Sequence, residues 1–292
     1  MKVCIVGYTQ DSGGHEALAL ARTMAGRGNM AVIVCVVTPE TWGHTSLGVD
    51  QDYGRFLEDH ATELLNEART LMGETPHVRY ERIAAPSASE GLTQAAERER
   101  ADLIVLGCTA SGNAVGRLFL GSVTDEILHS SARPVAIAPP GYTATAALTR
   151  LTAGFSGSES ARSTVLHALG MAGTMGVPLR LASFAVRDRS AFASRVGPEA
   201  EQAMLDRQTA HAQSALDAVR SQISVTGYPV ETAIGVGLNW DDALTAISWQ
   251  EGDLMLLGSS RLGALQRVFL GSNAAKIVRA STVPVIIVPR QG

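Results

Sequence analysis

The sequence predicts an α/β fold: two tandem doubly wound domains, each a five-stranded parallel sheet with helices on both faces. Three observations predict it. Short apolar runs alternate with amphipathic stretches along the whole chain. The second half repeats the first in the same order. The length of 292 residues allows two cores of ordinary size, at roughly 150 residues per domain.

The repeat is carried by four segments. Arg117-Leu118-Phe119-Leu120-Gly121-Ser122 returns as Arg267-Val268-Phe269-Leu270-Gly271-Ser272, and Pro134-Val135-Ala136-Ile137 returns as Pro284-Val285-Ile286-Ile287, both at an offset of 150. Ala101 to Gly107 returns as Gly252 to Gly258 at an offset of 151, so copy one carries one extra residue before Gly121. Near each start, Gly7-Tyr8-Thr9 matches Gly154-Phe155-Ser156. Order and near-constant offset together indicate a duplication. The seam, Pro139 to Thr145, is punctuated by Pro and Gly and carries no charge. It divides the chain into domains spanning residues 1–141 and 148–292.

In copy one, Lys2–Tyr8 is a short apolar run that predicts a buried strand, and Glu16–Ala25 has helical spacing. Ala31–Val37 is dense in β-branched residues and predicts a second strand. Arg55–Met72 places Phe56, Leu57, Leu64, Leu65, Ala68 and Leu71 at helical intervals. A third strand is expected at Val78–Ala84, a helix at Ser87–Arg100 and a fourth strand at Leu103–Gly107. A helix at Ser122–Ser130 and a strand at Val135–Ala138 close the copy. Copy two follows suit, with strands near Leu151–Phe155, Leu179–Val186, Val230–Val236, Leu254–Gly258 and Val285–Val288. Its helices fall near Ala161–Met175, Glu199–Ser221, Asp241–Gln250 and Ser272–Ala280. Such alternation implies parallel strands joined by right-handed crossovers. Strands as uniformly apolar as Ile104-Val105-Leu106 imply burial on both faces. Two separate sheets follow from two modules, so one continuous sheet would count against this reading.

Composition narrows the function. With 46% hydrophobic and 18% charged residues the chain is not of a disordered type, and a net charge of −4 argues against a nucleic-acid partner. No apolar run reaches the ~18 residues of a membrane span, and the apolar stretch at Val3–Gly7 is too short for a signal-peptide core; a cytoplasmic protein is expected. Cys4, Cys35 and Cys108 form no CxxC pair and read as small buried hydrophobes. His15-Glu16 begins like a zinc-protease helix, but Ala19 stands where the second ligand belongs.

In a doubly wound sheet, ligands sit beyond the carboxyl ends of the strands. After the fourth strand, copy one reads Gly107-Cys108-Thr109-Ala110-Ser111-Gly112 and later Gly121-Ser122; copy two reads Gly258-Ser259-Ser260-Arg261 and later Gly271-Ser272. Glycines admit close approach of backbone to phosphate, and a helix beginning at Gly-Ser offers free amides and a positive dipole end to an anion. The structural alternative is that Gly107 and Gly258 merely end strands while the serines cap helices. Neither loop contains the Gly-Lys-Ser/Thr of a Walker nucleotidase.

The spacing G-x2-G-x9-G-S/T after an Ala-Asp-Leu-Ile-Val-like strand resembles the ATP-binding signature of the universal stress protein family. The Gly-Tyr/Phe openings, Val37-Thr38-Pro39-Glu40-Thr41-Trp42 and the closing Pro-Val-x-Ile strands share the resemblance, which covers nearly the whole chain twice. It implies strand order 3-2-1-4-5, dimer-like pairing of the two modules through their closing strands, and the prospect of a homodimer. It also implies ATP, with magnesium accompanying its phosphates, held by the glycine loop and a strand-one Asp. The sequence departs from that pattern: Thr9 and Ser156 stand at the strand-one Asp position, Arg261 replaces the second loop glycine of copy two, and an insertion in copy one shifts its equivalent to Ser111 or Gly112. Asp11 is near, but two residues along it is expected to point elsewhere. The candidate binding residues are therefore Thr9, Gly107, Ser111, Gly112, Gly121, Ser122, Ser156, Gly258, Arg261, Gly271 and Ser272. Two functions stay open: a stress-response protein binding an adenine nucleotide, and a scaffold that kept the fold after losing the strand-one Asp. No nucleophile, general base or metal-ligand set is assembled at this edge, so catalysis is not expected. Asp102 and Asp253 fall at the far end of the fourth strand, where capping is the expected role.

Overall fold

The structure is a computed structural model that describes residues 2–26, 30–40, 48–108, 120–187, 198–224, 227–259, 268 and 270–289. The first half runs β1 (Lys2–Gly7), α1 (Ser12–Ala25), β2 (Met30–Pro39), α2 (Gly48–Met72), β3 (Val78–Ala85), α3 (Ala88–Arg98), β4 (Leu103–Gly107), α4 (Ser122–Ser130) and β5 (Val135–Ala138). The second runs β6 (Arg150–Gly154), α5 (Glu159–Met175), β7 (Leu179–Val186), α6 (Pro198–Ser224), β8 (Val230–Gly237), α7 (Trp240–Thr245), β9 (Asp253–Gly258), α8 (Ser272–Ala280) and β10 (Val285–Val288).

Strand order is β3-β2-β1-β4-β5-β10-β9-β6-β7-β8. Each half is parallel throughout and has the order 3-2-1-4-5 when counted from its own first strand. The expectation of two separate sheets is corrected: the ten strands form one sheet. The two-module reading survives because the halves meet at a single antiparallel seam, Val285 against Ile137, Ile286 against Ala136 and Ile287 against Val135. Closing strands β5 (Val-Ala-Ile-Ala) and β10 (Val-Ile-Ile-Val) are buried at every position, so an unpaired edge here would leave apolar surface and backbone groups exposed. Joining them removes both edges.

One face of the sheet carries α1, α2, α5 and α6, the other α3, α4, α7 and α8, and each apolar core runs unbroken across the seam. Outer strand β3 is kept soluble by charge. Its Arg79, Glu81 and Arg82 pair with Glu99, Arg98 and Glu58 from neighbouring helices.

The connection from β5 to β6 lies on α1. Thr23 Oγ1 accepts from the Thr145 amide at 2.9 Å and the Tyr142 hydroxyl at 3.1 Å, and Gly141, at φ +74°, donates its amide to the Glu16 carboxylate. Burial raises the Glu16 pKa, and the Gly141 bond opposes that rise. The helix expected over Asp241–Gln250 stops at Thr245. The chain turns there to present the Ser248 carbonyl to the guanidinium groups of Arg150 at 3.1 Å and Arg180 at 2.6 Å, which a continuing helix would have engaged itself.

The three cysteines are buried and free. Burial, then the neighbouring Cys35, pushes Cys4 up to about 12; burial and then Glu81 do so for Cys35, and burial and then Glu16 for Cys108. Each thiol therefore stays protonated at pH 8, and only the thiolate reacts. Titration with a thiol-specific dye at pH 8 should label none of the three in the folded protein within an hour and all three in denaturant. Rapid labelling of a folded-state thiol would show that the core opens.

Candidate functional site

Both modules turn the same edge to solvent, the carboxyl ends of their first, second and fourth strands. In module one a cavity of about 220 Å³ gathers Thr9, Gly107, Gly121 and Ser122. In module two a cavity of about 460 Å³ gathers Ser156, Gly258, Gly271 and Ser272. Ser111, Gly112 and Arg261 lie outside the described residues, as does Trp42.

The helix starts differ from the capping alternative. Gly121 and Gly271 are the N-cap residues of α4 and α8, neither helix has a side-chain cap, and Ser122 and Ser272 are already the first helical residues. By contrast Asp11, Ser87, Ser158 and Asn239 each accept an amide of the helix they open. Among the described residues no side chain caps the first turns of α4 and α8, whose amides open onto the ligand edge. Only α4 has an acidic residue in that turn, Asp125, which weakens its attraction for an anion.

The strand-one turns also diverge. Thr9 donates its hydroxyl to Asp11 at 2.9 Å, and the same carboxylate oxygen accepts the Gly14 amide at 2.8 Å. Asp11 therefore does not point away as expected: capping α1 holds it on the wall of the first cavity. In module two the matching pair is Ser156 and Ser158, hydroxyl to hydroxyl at 3.0 Å, with no carboxylate. The second cavity consequently lacks any Asp or Glu among its described lining residues. The Ser259 hydroxyl, which lines it, is buried with no hydrogen-bond partner among the described residues.

Gly107 and Gly258 prove to be packing glycines. A Cβ on Gly107 would stand 1.9 Å from the Gly13 carbonyl oxygen, and one on Gly258 would stand 2.3 Å from Thr164 Oγ1. Asp102 and Asp253 divide in role. Asp102 accepts the Val3 amide at 2.8 Å. Asp253, fully buried, accepts the Gln250 amide at 2.9 Å as a cap and also forms a two-pronged pair with Arg150 at 3.1 and 2.6 Å and meets Arg180 at 3.7 Å, so a buried ion pair is added there to the expected capping. Among the described residues no cluster of His, Cys, Asp or Glu is placed to hold a metal ion, and no helix is long and apolar enough to cross a membrane.

Beside the second cavity lies a larger one of about 1080 Å³, sharing Phe155, Ser156, Phe184, Trp240 and Asn273 with it. Phe184 and Trp240, ring centroids 6.2 Å apart, occupy positions where module one has Val37 and Ala88. Sequence reasoning missed these aromatics and the cations beyond them. Arg207 and His211, spaced i,i+4 on α6, were a visible signal, but spacing alone does not say which side of a helix overlooks a sheet edge.

The sequence pattern of the universal stress protein family matches residues 1–139 and again residues 148–289. A protein named as a universal stress protein in Mycobacterium tuberculosis (strain ATCC 25618 / H37Rv), and another so named in Mycobacterium bovis, are each 36% identical over 290 residues, covering 98% of this chain and 99% of theirs. Among solved structures, a universal stress protein from Archaeoglobus fulgidus DSM 4304 superimposes with a TM-score of 0.67 at 18% identity, covering 99% of this chain and 98% of the other. A protein from Pseudomonas aeruginosa UCBPP-PA14 gives 0.56 at 16% identity over 98% of this chain and 92% of its own. At those identities the structural likeness speaks for the fold alone.

Proposed function

This chain belongs to the universal stress protein family, and from that premise we propose that it is a stress-response protein binding an adenine nucleotide at the glycine edge of module two. One observation carries the choice of module. The uncapped first turn of α8 opens onto a cavity with an unpartnered Ser259 hydroxyl and no described carboxylate. Module one offers half the volume, Asp11 on the wall and Asp125 beside its helix start. Like charge disfavours a polyphosphate there, and free amides at a dipole's positive end favour one in module two. Phe184 and Trp240 give a base an aromatic wall. The described lining brings no carboxylate to a magnesium ion, so such an ion would travel on the phosphates themselves. Ser156 can hydrogen-bond one ribose hydroxyl where an Asp would take two.

Calorimetric titration with magnesium ATP in phosphate-free buffer tests this. One nucleotide per chain is expected, with affinity falling at least tenfold in Gly271→Val, about 1.4 kcal/mol, and staying within twofold in Gly121→Val. Loss in Gly121→Val instead would move the site to module one. No binding at millimolar nucleotide would leave the scaffold reading in its place.

A further inference from the structure

The seam does more than close two sheet edges. Because β5 and β10 run antiparallel, the carboxyl edge of module two lies beside the amino edge of module one. Helix α4 carries the chain from the carboxyl end of β4 back to the amino end of β5, so its C-cap, Ser131, reaches that amino edge. The start of α8 lies on the facing carboxyl edge. A hydrogen bond joins them: the Val268 amide of module two donates to the Ser131 carbonyl of module one at 2.7 Å.

Both partners are enclosed. Val268 and Ser131 are each 0% exposed, and Val268 belongs to the apolar core that also holds Ile127 and Leu128 of α4 and Ile277 of α8. A helix leaves its last four carbonyls without an intrahelical donor, and a buried one left unpaired is costly. Module two therefore completes the end of a helix in module one. The Ser131 turn is itself held in place, its hydroxyl donating to the Arg133 carbonyl at 2.9 Å and accepting the Arg133 amide at 3.0 Å. Val268 stands three residues before Gly271, the N-cap of α8, within roughly 10 Å of chain. It anchors the chain just ahead of the uncapped turn that faces the ligand cavity.

We propose that Val268 is a positioning residue for the module-two edge, a brace through which module one holds the first turn of α8 in its binding arrangement. Ligand occupancy at that turn and order in the last turn of α4 are then coupled, and the coupling is reciprocal. An anchored turn is already ordered when the anion arrives, so binding does not carry the cost of ordering it. The identity of the ligand rests on the nucleotide reading; the brace does not.

Amide exchange followed by mass spectrometry on the full chain, with and without magnesium ATP, tests this beside calorimetry. In the nucleotide-free protein, Val268→Ala should speed exchange about tenfold both in residues 270–274 and in residues 127–131 of module one. It should weaken ATP about fivefold. Val268→Leu installs the residue found at the matching position of module one, Leu118, and should restore both readings to within about twofold. Val219→Ala, a buried truncation in the core on the other face of the sheet, is the control. It should cost stability without changing ATP affinity or exchange in residues 127–131. In the unaltered protein, ATP should slow exchange in residues 127–131 as well as at the start of α8. The proposal is overturned if Val268→Ala loosens α8 alone, matches Val219→Ala in every reading, or leaves the affinity for ATP untouched. If ATP fails to bind while Val268→Ala still loosens both helices, the nucleotide reading falls and the brace stands. If ATP binds while exchange in residues 127–131 ignores both ligand and variant, the brace falls and the nucleotide reading stands.

Discussion

Replacing Asp253 by Ala should cost roughly 3–5 kcal/mol of stability, read as a lowered urea midpoint for module two. The carboxylate is 1% exposed, yet it faces two guanidinium groups and also accepts the Gln250 amide at 2.9 Å. Removing it leaves Arg180 without its nearest carboxylate and Arg150 with only the exposed Glu231 at 3.6 Å, and a buried ion that loses its partner bears the cost of desolvation. Burial first, then the adjacent Arg150, already pulls the Arg180 pKa down, with Asp253 opposing. The reverse deletion is expected to be much milder. Arg180 sits at the register position that Ile33 fills in module one, so Arg180→Ile restores an apolar side chain used elsewhere in the same fold. It forfeits the contact of the guanidinium with the Trp249 ring, 4.6 Å from the centroid, and the bond to Ser248, but leaves the two-pronged Arg150–Asp253 pair intact. A loss of no more than about 2 kcal/mol is expected. Equal losses in the two variants would mean that the three charges act as one inseparable unit.

That asymmetry explains what was legible beforehand. The two-module plan could be read from the repeat, and strands such as Leu103–Gly107 and Val285–Val288 from their uniform apolarity, because they are buried on both faces; the strand order was implied only by the family resemblance. The short α7 could not. Asp241–Gln250 has helix-compatible residues throughout, and only the tertiary demand of Arg150 and Arg180 for the Ser248 carbonyl ends the helix early. Likewise, Gly107 and Gly258 resemble phosphate-loop glycines in sequence, because a glycine that admits a ligand and one that admits a helix look alike. Asp11 was misjudged because counting positions along a strand fails once the chain leaves it: the cap on α1 re-aims the carboxylate. The larger cavity of module two was invisible for the same reason, being built from residues of Ser183–Arg187, Met204–Ala215 and Leu238–Trp240 that meet only in the fold.

The two packing glycines give the second large effect. In module one the start of α1 passes so close beneath β4 that Gly107→Ala would drive its Cβ into the Gly13 carbonyl, and Gly14 in turn has the Thr9 carbonyl oxygen 1.9 Å from where its own Cβ would be. Both obstacles are backbone, pinned by the Asp11 cap, so neither can move without pulling α1 off the sheet. Gly107→Ala is therefore expected to destabilise module one by roughly 3 kcal/mol, at the upper end of ordinary overpacking. In module two the obstacle to Gly258→Ala is the Thr164 side chain, which can change rotamer, and about 1 kcal/mol is expected. Urea unfolding of both variants gives the comparison, and ATP titration adds a second reading. If the nucleotide sits on α8, Gly107→Ala should lower stability while leaving affinity within twofold, because it strains only the module that does not bind. A matching loss of affinity would mean that the seam between β5 and β10 transmits strain from one module to the other, and that the two glycine edges work as a coupled pair.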